Sequence, residues 1–149
     1  TELPDVSAAD ARYVRVSTAD TIRGAKIYTS IATFNAPVAT PATTIALSNA
    51  SSVITPNFAL GNTFVVSLVS AQGCSIAAPS NATAGQSGSI YFIQDGTGGA
   101  VLTYNNAWRF PEASAPSNTI TASAVDLLVY NVRSATTIDT VLLKGFGRT

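Results

Sequence analysis

No segment in the body of this 149-residue chain places apolar residues at i, i+3, i+4 and i+7 over three turns. Amphipathic helices are therefore not its building units. What recurs is short β-branched and aromatic runs bounded by Gly, Pro, Asn and Ser, the pattern of strands separated by turns. In Thr63-Phe64-Val65-Val66-Ser67-Leu68-Val69-Ser70, residues Phe64, Val66 and Leu68 fall on one face. Further strands are expected at 89–94, 100–104, 124–132 and 137–146, with shorter ones at 44–47, 53–55, 74–77 and 119–121. The Asp95-Gly96-Thr97-Gly98-Gly99 run reads as a hairpin turn between the strands on either side. The fold class that follows is all-β, a β-sandwich of jelly-roll type. The one helical start is Pro4–Val14, where Ser7 can cap a short run of helix formers.

Charge divides the chain in two. Residues 1–26 hold Glu2, Asp5, Asp10, Arg12, Arg15, Asp20, Arg23 and Lys26, half of all charges, and from Ile27 to Gln94 there is none. We read residues 1–36 as an N-terminal arm and 43–149 as a β-sandwich knob. Between them, Pro37 and Pro41 make 37–42 an extended linker, because proline removes a donor and restrains the residue before it. Val14, Val16, Ile22, Ile27, Tyr28, Ile31 and Phe34 have little to pack on in a single short arm, and partner copies around a symmetry axis would bury them. The neutral stretch, rich in Ser, Thr, Asn and Ala, suits lateral contacts that desolvate few charges.

Composition excludes several functions. Charged residues are 11% of the chain and cancel to zero, so no field steers it to nucleic acid or to an anionic membrane. There is no His, hence neither the commonest general base nor the commonest metal ligand. Cys74 is the sole cysteine and cannot form an internal disulfide or a thiolate metal site. Neither a transmembrane run nor a signal peptide is visible. The opening Thr1 fits removal of an initiator Met and fits a cut chain equally.

Two stretches carry a resemblance. Ala9-Asp10-Ala11-Arg12-Tyr13-Val14, then Asp20-Thr21-Ile22-Arg23-Gly24-Ala25-Lys26-Ile27-Tyr28-Thr29-Ser30, resemble the stem blocks of bacteriophage tail fibres and virion appendages. Arg23 and the Ile27-Tyr28 pair depart from the commonest form of the second block. Gly85–Ile90, Gln94–Gly99, Trp108-Arg109-Phe110-Pro111, Ile120–Asp126 and Phe146 resemble, in order and spacing, a β-sandwich knob found on fibres and capsids. The resemblance implies a homotrimeric virion protein with an anchoring arm and an outward knob. Tyr13, Val14, Ile22, Ile27, Tyr28 and Phe34 would then anchor it and hold the trimer by apolar contact. The short chain leaves no room for a long shaft, which favours a capsid decoration (cement) protein or short head fibre on the capsid exterior. Its partners would be itself and the major capsid protein or another virion protein. The alternative is a tail fibre or receptor-binding tip that recognises host surface glycans.

Candidate chemistry is sparse. No His activates a Ser or Thr, and a Ser–Lys pair with Lys26 or Lys144 has no spacing to support it. Cys74 reads as a small buried apolar residue. Asp95, Glu112, Asp126 and Asp139 are the acids that glycoside hydrolysis would need in pairs. Asp95 reads as a turn residue capping its own backbone. Asp126, inside an apolar strand, must pair with an Arg such as Arg109 or accept backbone donors. Trp108, Arg109 and Phe110 could form a sugar-stacking platform, although a lone Trp in a β protein is more often a core or interface anchor. We expect no enzyme activity, no cofactor, no metal, and neither nucleic acid nor membrane as partner.

Overall fold

The β-branched runs do form strands, but they pair with partners far along the chain. The computed structural model describes residues 42–46, 52–69 and 73–146. Among them are nine strands: β1 (Thr43–Ala46), β2 (Val53–Ile54), β3 (Thr63–Ser67), β4 (Gly73–Ile76), β5 (Ser87–Ile93), β6 (Val101–Tyr104), β7 (Trp108–Arg109), β8 (Val125–Ser134) and β9 (Thr137–Leu143). A single 3₁₀ turn, Pro111–Ala113, is the only helical element among the described residues.

The first six strands alternate between two sheets, one ordered β1-β3-β5-β8-β9-β7 and the other β2-β4-β6. β1, β3 and β5 run parallel to one another, and so do β2, β4 and β6. Parallel neighbours need a long crossover. Here each crossover from one strand of the large sheet to the next visits the small sheet on the way. The chain thus winds in three stacked rungs, a β-solenoid-like arrangement. Thr43 stacks on Phe64 and Val53 on Ser75, steps of 21 and 22 residues. Thr63 then stacks on Ser89 and Gly73 on Val101, steps of 26 and 28.

This corrects the expected jelly roll. Asp95–Gly99 is a corner that carries the chain from one sheet to the other, and β5 and β6 are not paired. The one hairpin among adjacent described strands is β8–β9, which packs antiparallel beside β5. The segment expected as a strand at 119–121 lies outside any strand, and β7 was not expected. Residues 1–36, with the expected helical start and stem blocks, lie outside the described residues, as does all of the linker except Ala42.

Stacking in register turns the alternation of each strand into columns. Ile45, Val66 and Phe92 form one, while Phe64, Ile90, Leu128 and Leu142 form another. Ile54, Ile76 and Tyr104 line the facing sheet. Phe64, Val66, Ile90, Leu128, Ile54 and Ile76 are wholly buried, and each such side chain contributes about 2 kcal/mol. Beside them Phe58 stacks on Tyr130 at 4.5 Å, and Trp108 meets both rings edge-on at 6.3 and 6.4 Å. The Tyr130 hydroxyl donates to the Asn62 carbonyl at 3.1 Å, and that carbonyl also accepts from the Ser89 N–H at 2.8 Å. Gly88 sits against this junction, where a Cβ would strike the Asn62 carbonyl and the Tyr130 ring.

The small sheet ends at β6, and a side chain closes it. Asn118, 7% exposed, accepts from Leu102 N–H at 2.8 Å and donates to the Ala100 carbonyl at 2.9 Å. Its amide thus occupies the place of the next strand's backbone on that edge. Gln94, more deeply buried, accepts from Ala100 N–H at 3.1 Å and donates to the carbonyls of Ala100 and Thr119. Leaving the buried Leu102 N–H without a partner costs about 1–3 kcal/mol. We therefore expect Asn118→Ala to lower unfolding free energy by about 2–3 kcal/mol in urea titrations, with the β-sheet circular dichroism signal retained.

Two tyrosines report on the core. Burial pushes the Tyr130 phenol from 10.0 to about 12. Tyr104 is driven higher still by burial and then by the charge of Asp126, and its hydroxyl has no hydrogen-bond partner among the described residues. The unfolded phenol ionises near 10, while the folded state keeps its proton. This stabilisation is therefore full below pH 10 and falls as the pH rises toward 12. In a spectrophotometric titration both rings should ionise later than the ordinary tyrosine range, together with loss of the fold.

Candidate binding surface

The acids come first, because they decide whether the body can do chemistry. Asp95 Oδ1 accepts from the N–H groups of Thr97 and Gly98 at 2.9 and 2.8 Å, the turn role expected of it. Gly98 follows at φ +73°, its Cα so close to the Ile120 carbonyl and Ala122 backbone that a Cβ would collide. Asp126 is 2% exposed and accepts from Thr119 N–H at 2.6 Å and Gly145 N–H at 2.9 Å. Of the two expected solutions for this carboxylate, backbone donors are the one used. Its two oxygens pin the 119 loop and the chain after β9 to the start of β8.

Asp139 is paired with Arg133 by both the guanidinium Nε and Nη2, the Nε bond being 2.9 Å. The hydrogen bond to Arg133 holds its carboxyl below the usual range, and the same bond raises the guanidinium. Glu112 lies exposed on the 3₁₀ turn at φ 57°, next to Ala113 at φ 55°. Each of Asp95, Asp126 and Asp139 is thus tied to a partner that stabilises the local fold. Cys74 is 1% exposed, and burial pushes its thiol up. No group of three metal-ligating side chains occurs among the described residues, and no described helix is long and apolar enough to cross a membrane.

Trp108 and Phe110 take the core reading that the sequence also allowed. Trp108 is 4% exposed, and its indole N–H donates to the Ala77 carbonyl at 2.9 Å. Phe110 packs edge-on against Tyr104 at 4.7 Å. Neither ring offers a face on which a sugar could stack, and of the three only Arg109 is exposed. Tyr13, Val14, Ile22, Ile27, Tyr28 and Phe34 lie outside the described residues.

Comparison with known proteins returns no match: no family model fits the sequence, no curated protein aligns with it, and no solved structure resembles it.

The feature that sequence reasoning missed is the outer face of the large sheet. Register places Val65, Tyr91, Leu127 and Leu143 in one row across four strands, and Val129 beside Val141 in the next. Ser87, Asn131, Asp139 and Arg109 form a polar row beyond them. A shallow depression of about 570 Å³ lies over the junction of the apolar and polar rows, lined among others by Val129, Val141, Asn131, Arg109, Arg133 and Pro111. The signal was present in β8: Val125, Leu127 and Val129 alternate with Leu128, Tyr130 and Val132, so the strand is apolar on both faces. That is the pattern of a strand covered on both sides.

Since Asp139 is held below its ordinary value, its ion pair contributes above the unfolded carboxyl range and is lost as acid protonates it. Both partners are exposed, and exposed pairs stabilise little. Asp139→Asn should accordingly leave the melting temperature at pH 7 unchanged within scan reproducibility, while abolishing the low-pH titration of this carboxyl in NMR.

Proposed function

We propose that the chain is a structural protein of a bacteriophage particle, a homotrimer on the capsid exterior that binds the major capsid protein or another virion protein. In this role it reinforces the lattice by added buried contact, as a capsid decoration (cement) protein or short head fibre. The observation that supports the reading is the character of the body: stacked strands, no charge from Ile27 to Gln94, and an apolar outward sheet face. Such a surface gains free energy by being covered, with few charges to desolvate. The stem blocks at 9–14 and 20–30, and the ordered motifs of the knob, point the same way through their resemblance to virion appendages.

The stem blocks also favour a second reading, a tail fibre or receptor-binding tip. There, the exposed Arg109 beside the depression would meet host surface glycans by hydrogen bonding.

Copy number separates the two. Quantitative mass spectrometry of purified particles, calibrated on the major capsid protein, should give a ratio of the same order as the capsid protein. A count of a few copies per particle would move the chain to the tail or a vertex and favour receptor binding. Absence from particles would end both readings.

A further inference from the structure

We infer that the outer face of the large sheet is covered by the same face of another copy of this chain, so that the knobs bind one another directly. The inference rests on the reading of the protein as a self-assembling virion component, and names the surface through which it assembles.

Five of the nine large exposed apolar side chains among the described residues share this face or its margin. Tyr91, Val129, Val141 and Leu143 are 36–48% exposed on this one face, and Phe146, 55% exposed, follows at its margin, where its N–H is bonded to the Val125 carbonyl. Ile93 and Val125, paired in the adjoining row, extend the patch. Together they offer on the order of 500 Å² of apolar surface, at the upper end of what ordinary monomers expose. That is more than half of the ~800 Å² that one partner brings to a standard interface. The other sheet carries fewer apolar residues outward: its outward rows are Val53, Ser75 and Thr103, and Gly73 and Val101.

Charge argues for a like partner. The rows from Ile93 to Val141 hold no ionisable group other than the Tyr91 phenol, so two copies can meet there without like-charge repulsion and without burying an unpaired ion. The charges around the patch are Lys144, next to Leu143 in the chain, and, at its polar edge, Arg109 and the joined Arg133–Asp139 pair. There they would form a solvated rim around an apolar centre, the usual anatomy of an interface. A nucleic acid or acidic partner would find no cation within these rows.

The test is the solution mass of the full chain by light scattering, for the natural sequence and two variants. V129K/V141E places opposite charges on directly paired neighbours, which suits the sheet but would have to be desolvated in the interface. V101K alters an apolar residue that is 48% exposed on the opposite sheet. We expect the natural chain and V101K to assemble, and V129K/V141E, left with the arm contacts alone, to fall to the single-chain mass of 15.3 kDa on dilution to concentrations at which the natural chain stays assembled, with an unchanged circular dichroism spectrum. As a second measurement, Val141→Cys should give covalently joined chains with a short bifunctional thiol reagent, whereas the buried Cys74 alone should not. Assembly of V129K/V141E like the natural chain, or no joining through residue 141, overturns this interface and leaves the virion reading standing. A natural chain that is monomeric at micromolar concentration overturns both.

Discussion

A stack of parallel strands satisfies its own backbone everywhere except at its ends, where a row of N–H and C=O groups must still find partners. The described body depends on how that is met at its last rung. The large sheet is carried onward by β8 and β9, which turn antiparallel and cover β5. The small sheet has no further strand, and Asn118 and Gln94 supply side-chain amides where the next backbone would lie. An amide can do this because it presents a donor and an acceptor about as far apart as those of a peptide group. The rest follows from the asymmetry: one sheet runs on for three strands after the other has stopped. The inner side of β8 is covered instead by the Phe58 loop and by Trp108 of β7.

The ends of the large sheet extension are bound by ionic and backbone means. Asp126 is the only charged side chain among the described buried residues. Its two accepted hydrogen bonds reach a loop before β8 and the chain after β9, which fastens both margins of the hairpin to one carboxylate. Two charge-assisted bonds from backbone donors offset much of the cost of burying it. The neutral remainder of the body is held by packing and by amide networks. Outward at Val125, Leu127 and Val129 of β8 and at Val141 and Leu143 of β9, apolar residues stand where a solvated sheet would place Lys, Glu or Thr.

The positions of the strands were legible because alternation is local. Phe64, Val66 and Leu68 point inward as their spacing requires, and Asp126 could be singled out as an acid needing donors. Sheet order was not legible, because pairing joins residues more than twenty positions apart. The Asp95–Gly99 turn shows why. Asp95 satisfies the N–H groups of Thr97 and Gly98 within the turn itself, and this chemistry is the same whether the following strand folds back beside β5 or crosses to another sheet. β7 escaped notice because two residues have no period. Its place is set by remote partners, the Ala77 carbonyl for Trp108 and the Arg109 carbonyl for Thr140. The apolar outer face was written in Val125–Val132, yet a continuous apolar run cannot say by itself what lies on its second side.

The dependence of one sheet edge on Asn118 also gives the fold a chemical clock. Hydrolysis of that amide to a carboxylate would change only a few atoms, but it would exchange a donor for an acceptor facing the Ala100 and Thr119 carbonyls. The new negative charge would be enclosed, with Leu102 N–H as its remaining partner in that amide's set of bonds. Packing that holds Asn118 at 7% exposure therefore protects the edge in two senses. It keeps the hydrogen bonds dry, and it slows the spontaneous hydrolysis of the very amide that closes the edge.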